Sequence, residues 1–102
     1  MSKKNRQMPP VHPGEVLRED LIKPLGLSVN RLARELRVPG ARMSEIVNGR
    51  RGISTDTALR LARYFGSTPE FWMNLQATYD LSLAIGSTAD QIAREVHPRR
   101  AA

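Results

Sequence analysis

Apolar residues recur at intervals of three and four along most of this chain, and the breaks between the runs carry residues that start and stop helices. Val16, Leu17, Leu21 and Ile22 form the first stripe. The helix that carries them opens at His12-Pro13-Gly14-Glu15, with Pro13 where a missing N–H costs nothing and Glu15 near the positive end of the dipole. Pro24 disfavours helical geometry at Lys23, so this helix is expected to stop there, and Gly26 permits the turn that follows. Ser28 caps a second helix running to about Leu36, with Leu32, Ala33 and Leu36 on its apolar side. Val38 and Pro39 interrupt the pattern. A third helix begins near Gly40, carries Met43, Ile46 and Val47 inward, and ends at Asn48-Gly49.

A fourth helix follows a short basic loop, capped by Ser54 or Thr55, with Ala58, Leu61, Ala62 and Phe65 facing inward and Gly66 at its end. Thr68-Pro69-Glu70 starts a fifth, whose stripe is Phe71, Trp72, Leu75 and Tyr79. Beyond Gly86, Thr88 and Gln91 stand at capping-box spacing before Ala89, Ile92, Ala93 and Val96, which predicts one short additional C-terminal helix, stopped by His97-Pro98. No alternating stretch reads as a strand. The prediction is an all-α chain, and 102 residues suffice for one domain. Its expected organisation is a mobile basic arm over 1–9, a folded domain over 10–96 and a tail over 97–102.

The second and third helices, over 29–48, read as a helix-turn-helix unit: Ala33 is small where the two would cross, and the outward positions of the third are polar. Charge sharpens this reading. Sixteen Lys and Arg against ten Asp and Glu leave +6, thirteen of the cations are Arg, and between Arg31 and Arg63 eight arginines face only Glu35, Glu45 and Asp56. Such a balance favours a polyanion, and the arginine fork matches phosphate and guanine edges. The unit therefore predicts sequence-specific DNA as the partner. Arg42 is the first choice for a base edge, Ala41 for a thymine methyl, with Ser44, Glu45 and Asn48 as further readers. Arg50 and Arg51 are placed for phosphates, and Ser28 marks a helix start whose free N–H groups suit a phosphate.

Several positions admit two readings. Glu45 accepts from a cytosine amine or pairs with a neighbouring Arg. Arg37 occupies the turn position where glycine is usual; either the turn has another shape, or the strain is tolerated and the guanidinium reaches the nucleic-acid backbone. Trp72, Phe71 and Tyr79, three of the five aromatics, pack a core or a subunit interface, and Trp72, Leu75 and Tyr79 are the candidate dimer contacts. Catalysis finds little support: there is no cysteine, and His12 and His97 read as surface or turn histidines without ligand spacing. Glu15, Glu19 and Asp20 would be needed for a metal-dependent nuclease, but a helix-start bias and a solvated face explain them better. No catalytic residue, metal or cofactor is expected. Apolar runs too short for a membrane span, a polar start and the absence of cysteine place the chain in the cytoplasm.

Four stretches, HPGEVL at 12–17, LGLS at 25–28, EIVNGRRGIS at 45–54 and DTALRLARYFGSTPEFWMNLQATYDL at 56–81, resemble the HigA-type or VapI-like antitoxins of bacterial toxin–antitoxin modules. RYFGSTPEFWMNLQ lies outside the generic DNA-binding unit and makes the likeness specific. The resemblance implies a five-helix phage-repressor-like helix-turn-helix domain, here with the extra C-terminal helix, and a homodimer on a palindrome in its own promoter. It also implies neutralisation of a RelE-like ribonuclease toxin that cleaves translated mRNA. Carried onto this chain, the DNA contacts fall at Gly40, Ala41, Arg42 and Glu45 and the loop arginines; Gly40 departs from the polar residue common there and offers only its backbone. The alternative is a stand-alone helix-turn-helix repressor without a toxin.

Overall fold

The computed structural model describes residues 10–100; the basic arm over 1–9 and the last two residues of the tail lie outside them. Five helices follow one another, and no strand occurs among the described residues. The first, α1, spans residues 13–25 without a break but changes pitch twice, from an α-helical turn at Pro13–Val16 through a π-helical stretch at Leu17–Ile22 to a final α turn at Lys23–Leu25. Helix α2 is Val29–Leu36, α3 is Gly40–Val47, α4 is Thr55–Phe65 and α5 is Pro69–Glu95.

Local chemistry accounts for most of these boundaries. Ser28, Ser54 and Thr68 each turn a side-chain oxygen onto the amide three residues ahead, at 3.0, 3.2 and 3.2 Å, satisfying donors that a helix start leaves bare. Gly26 and Gly66 end α1 and α4 in the left-handed region, with φ of 68° and 71°.

Two expectations fail here. Helix α1 does not stop at Lys23. In an α-helix the Pro24 ring would strike the carbonyl four residues back, but the π stretch widens the turn, the Lys23 amide donates to Arg18 five residues back, and the proline sits inside the last turn. Nor is the C-terminal helix separate: α5 runs 27 residues, about 40 Å, straight through Gly86. A mid-helix glycine costs only about 1 kcal/mol relative to alanine. The hydroxyls beside it do not cap; Ser87 bonds back to the Leu83 carbonyl at 2.9 Å, as serines inside helices do.

Leu17, Ile22, Leu32, Ala33, Leu36, Val38, Met43, Ile46, Val47, Ile53, Ala58, Leu61 and Trp72 form one buried cluster. Within it α2 packs on α3, α4 on α5, and α1 bridges α3 and α5. Trp72 corrects its assignment as a dimer contact: it is fully enclosed, with its indole nitrogen donating to Ser67 Oγ at 3.1 Å, and has no surface left for a second chain. Past Gln76 no residue of α5 is buried, so its second half projects from the body and stretches the molecule to 54 Å.

Candidate nucleic-acid interface

Helix α3 divides along its length. Met43 and Ile46 are completely buried and Val47 nearly so, while Gly40, Ala41, Arg42 and Asn48 are exposed and Ser44 and Glu45 half-exposed. Leu32 and Ala33 of α2 hold the inner side. Eight residues give barely two turns, marginal as an isolated helix, so α3 depends on its seating.

Part of that seating comes from α2, and part from outside the helix-turn-helix. Gly14, at the start of α1, lies against the last turn of α3, where a Cβ would overlap the Ile46 carbonyl oxygen. Arg18, from the π stretch, donates Nη1 to the Val47 carbonyl at 3.1 Å, and Arg60 of α4 does the same for the Leu36 carbonyl at the end of α2, at 3.0 Å. A cation on a terminal carbonyl both fills an orphan acceptor and complements the dipole. The sequence reading missed all three residues, since their partners lie 24 to 32 positions away.

Between α2 and α3 the chain makes the expected turn. Arg37 adopts φ 59° and ψ 45°, and the Arg37 and Val38 amides bond back to Arg34 and Ala33 at 3.2 and 2.9 Å. Of the two shapes open to this turn, the left-handed one is adopted. Arg37 borders a shallow groove with Leu36, Asp56, Leu59, Arg60, Arg63 and Tyr64, on the side of α4 rather than in the α3 row. Gly40 has room for a side chain; the nearest atom to an added Cβ would be Asn30 Oδ1, at 3.6 Å.

Glu45 pairs with Arg51, Oε1 to Nε at 2.7 Å. This ties the loop to α3 and leaves Glu45 as a partner for Arg51 rather than a lone acceptor. Asn48 turns its amide nitrogen back to the Ser44 carbonyl at 2.9 Å. Among the described residues Arg42 and Arg50 have no ion-pair partner and are both exposed. Ser28 spends its hydroxyl oxygen on Arg31, so a phosphate there would meet the remaining first-turn amides.

His12 is no surface histidine: it is buried, its Nδ1 accepts from the Gly14 amide at 2.8 Å as the cap of α1, and its ring meets Tyr79 edge-on at 4.8 Å. Burial pushes its pKa below the usual histidine value, against the opposing pull of the Arg51 backbone and Asp80. Gln76, also missed, is buried on the inner stripe of α5 and accepts from the Ile53 amide at 2.7 Å. The available signal was a polar residue one turn after Trp72. Leu75 and Tyr79 remain half-exposed and border a groove of about 420 Å³ with Val11, Phe71, Thr78 and Ser82.

The acids considered for metal chemistry are otherwise engaged or apart. Glu19 is bound by Lys23 and Arg18, each at 2.9 Å, which lower its pKa in that order of weight, and no cluster of three His, Asp or Glu suited to a metal occurs among the described residues. No helix among them is long and apolar enough to cross a membrane.

A short helix that exposes an unpaired arginine on one side and packs its apolar side on α2 and α1 defines a helix-turn-helix protein of the DNA-binding class. Comparison with known proteins agrees. The helix-turn-helix family matches residues 17–72. Virulence-associated protein I of Dichelobacter nodosus is 54% identical over 78 residues, covering 76% of this chain and 72% of that protein. An addiction-module antidote protein of the HigA family from Coxiella burnetii superposes with a TM-score of 0.85 at 49% identity, over 90% of this chain and 100% of that one. Antitoxin HigA of Pseudomonas aeruginosa, solved with the higBA promoter, gives 0.86 at 43% identity, over 89% and 99%. The chain belongs to the helix-turn-helix family and, within it, to the HigA-type antitoxins.

Proposed function

We propose that this protein is an antitoxin that represses its own operon by sequence-specific DNA binding and neutralises a RelE-like, mRNA-cleaving toxin. The observation that carries the DNA half is the division of α3: Met43 and Ile46 fully enclosed, Arg42 exposed and unpaired beside them. In this reading α3 enters the major groove. Arg42 takes the two acceptors of a guanine edge, Ala41 packs on a thymine methyl, Ser44 and Asn48 read the flanks, and Gly40 brings its backbone close. Arg50, Arg51 and the start of α2 at Ser28 grip phosphates on either side, and Arg37 adds charge from the turn.

One copy reads one half-site, so the operator is a palindrome and the active species a homodimer, with half-sites about 34 Å apart. Support comes from α5. Phe71, Leu81, Ile85 and Ile92 stand 45 to 61% exposed along its outer side, continuous with the groove at Leu75 and Tyr79, with Val96 exposed just past its end, and a second copy would cover them. The toxin half rests on membership of the antitoxin family.

Two measurements test the proposal. Gel-shift titration against the upstream region of the operon should show a discrete complex that outcompetes unrelated duplex at physiological salt. Co-expression with the neighbouring reading frame should yield a stable complex, and relief of growth arrest when that frame is a toxin. Operator binding without any toxin partner would leave a stand-alone repressor; failure of both would refute the reading.

A further inference from the structure

The loop over 49–53 carries Arg50 and Arg51, yet neither its sequence nor its own hydrogen bonds hold its second half. The Gly49 and Arg50 amides fold back onto Ile46 and Glu45 of α3, at 3.0 and 2.8 Å, and Arg51 Nε donates to Glu45 Oε1 at 2.7 Å, so α3 fixes the first half of the loop as far as the Arg51 side chain. The second half is held from α5. Gln76 Oε1 accepts from the Ile53 amide at 2.7 Å, and Gln76 Nε2 donates to Asp80 Oδ1 at 3.0 Å, one turn further along the same helix. Gly52 lies flat on this amide: a Cβ there would stand 3.1 Å from Gln76 Cδ and Nε2, closer than ordinary packing allows. Gln76 is 8% exposed, so its polar atoms are committed to these partners rather than to water. His12, Tyr79 and Asp80 complete the wall behind the loop.

We propose that Gln76 is a positioning residue of the nucleic-acid interface, which sets Arg50 and Arg51 at phosphate distance by clamping the loop to the helix that carries the dimer face. Asp80 orients the amide: it accepts from Nε2 and so turns Oε1 toward Ile53. The clamp makes the loop arginines follow α5 as well as α3, so phosphate grip depends on how the two copies are joined. This deepens the DNA-binding reading and rests on it.

The experiment is the salt dependence of binding to the operator and to unrelated duplex, for the full chain and its variants. Each phosphate contact contributes about 0.9 to the slope of log K against log salt concentration. Gln76→Leu removes acceptor and donor at similar size; the slope should flatten by about 0.9 to 1.8, on both DNAs alike, while the operator preference set by α3 stays. Gln76→Glu combined with Asp80→Asn reverses the donor and acceptor between the two positions and keeps an acceptor for Ile53. It should restore the slope. A merely structural glutamine would lower the melting temperature and scale affinity without changing the slope, and that result overturns the proposal. As a check that needs no variant, hydrogen exchange should find the Ile53 amide protected while those of Arg51 and Gly52 exchange fast; an Ile53 amide as fast as its neighbours overturns it too. A wild-type protein with no operator preference sinks the DNA-binding reading itself, whereas an unchanged slope in Gln76→Leu sinks only the clamp.

Discussion

Substituting Gly14 by alanine separates two effects that usually travel together. At an ordinary helical position the change is favourable by about 0.5–1 kcal/mol, because glycine loses more backbone freedom on folding. At Gly14 the new methyl would overlap the Ile46 carbonyl oxygen and lie within 3.1 Å of His12 Nδ1. The obstacle is backbone, not the tip of a flexible side chain, so α1 and α3 must part. Forcing extra volume into a packed site costs about 1–3 kcal/mol, and the displacement also weakens the Arg18 bond to Val47. A net loss of about 2 kcal/mol corresponds to a fall in melting temperature of about 8–16 °C for a domain of this size. Gly86→Ala is the internal control, since nothing stands within 4 Å of its added Cβ; it should stabilise by about 0.5–1 kcal/mol. Thermal unfolding followed by circular dichroism at matched concentrations measures both. Operator binding of Gly14→Ala, measured well below its melting temperature, should fall more than binding to unrelated DNA, because α3 is re-aimed. A Gly14→Ala protein as stable as Gly86→Ala would refute the argument that α3 is seated on the start of α1.

Arg42→Ala should relax base preference at one position per half-site, at a cost of about 1–3 kcal/mol, while Arg50→Ala should weaken all sequences alike and reduce the salt slope by about 0.9; selection from a randomised operator library and salt titration distinguish them. Leu75→Glu with Ile85→Glu should leave helicity intact and shift sedimentation to a monomer, whereas Trp72→Ala should unfold the chain or cost about 3–5 kcal/mol without any selective effect on association. Because His12 is held below the ordinary histidine pKa, the unfolded chain binds its proton more readily than the folded one, and stability should rise with pH. The contribution is complete above about pH 6.5 and fades as the pH drops through that value toward the folded pKa. Chemical denaturation from about pH 8 to about pH 5 should show this decline, and His12→Asn, which keeps a capping side chain, should flatten it.

Helix starts at Ser28, Ser54 and Thr68 were legible because the hydroxyl, the amide it caps and the apolar stripe behind it all fall within one turn. The same locality misled at Ser87 and Thr88, where a hydroxyl pair after glycine looks alike whether it caps a helix or bonds back inside one. Arg37 exposed the limit in another way: its position in the turn was evident, but whether the chain would accept a left-handed arginine depended on Val38 being buried and its amide being tied to Ala33. Pro24 was judged by α-helical geometry, and a π turn that one proline does not announce changed the outcome.

Periodicity and charge alone specified an all-helical chain with an arginine-bearing helix-turn-helix, because both are carried by neighbours three and four residues apart and need no knowledge of the rest of the molecule. The aim of that helix was settled elsewhere. Gly14 against Ile46, Arg18 on Val47, Arg60 on Leu36 and Gln76 under Ile53 join positions 23 to 32 residues apart in the chain. Such bonds have no spacing of their own; they exist only once five helices have closed around Trp72 and carried the partners to within reach.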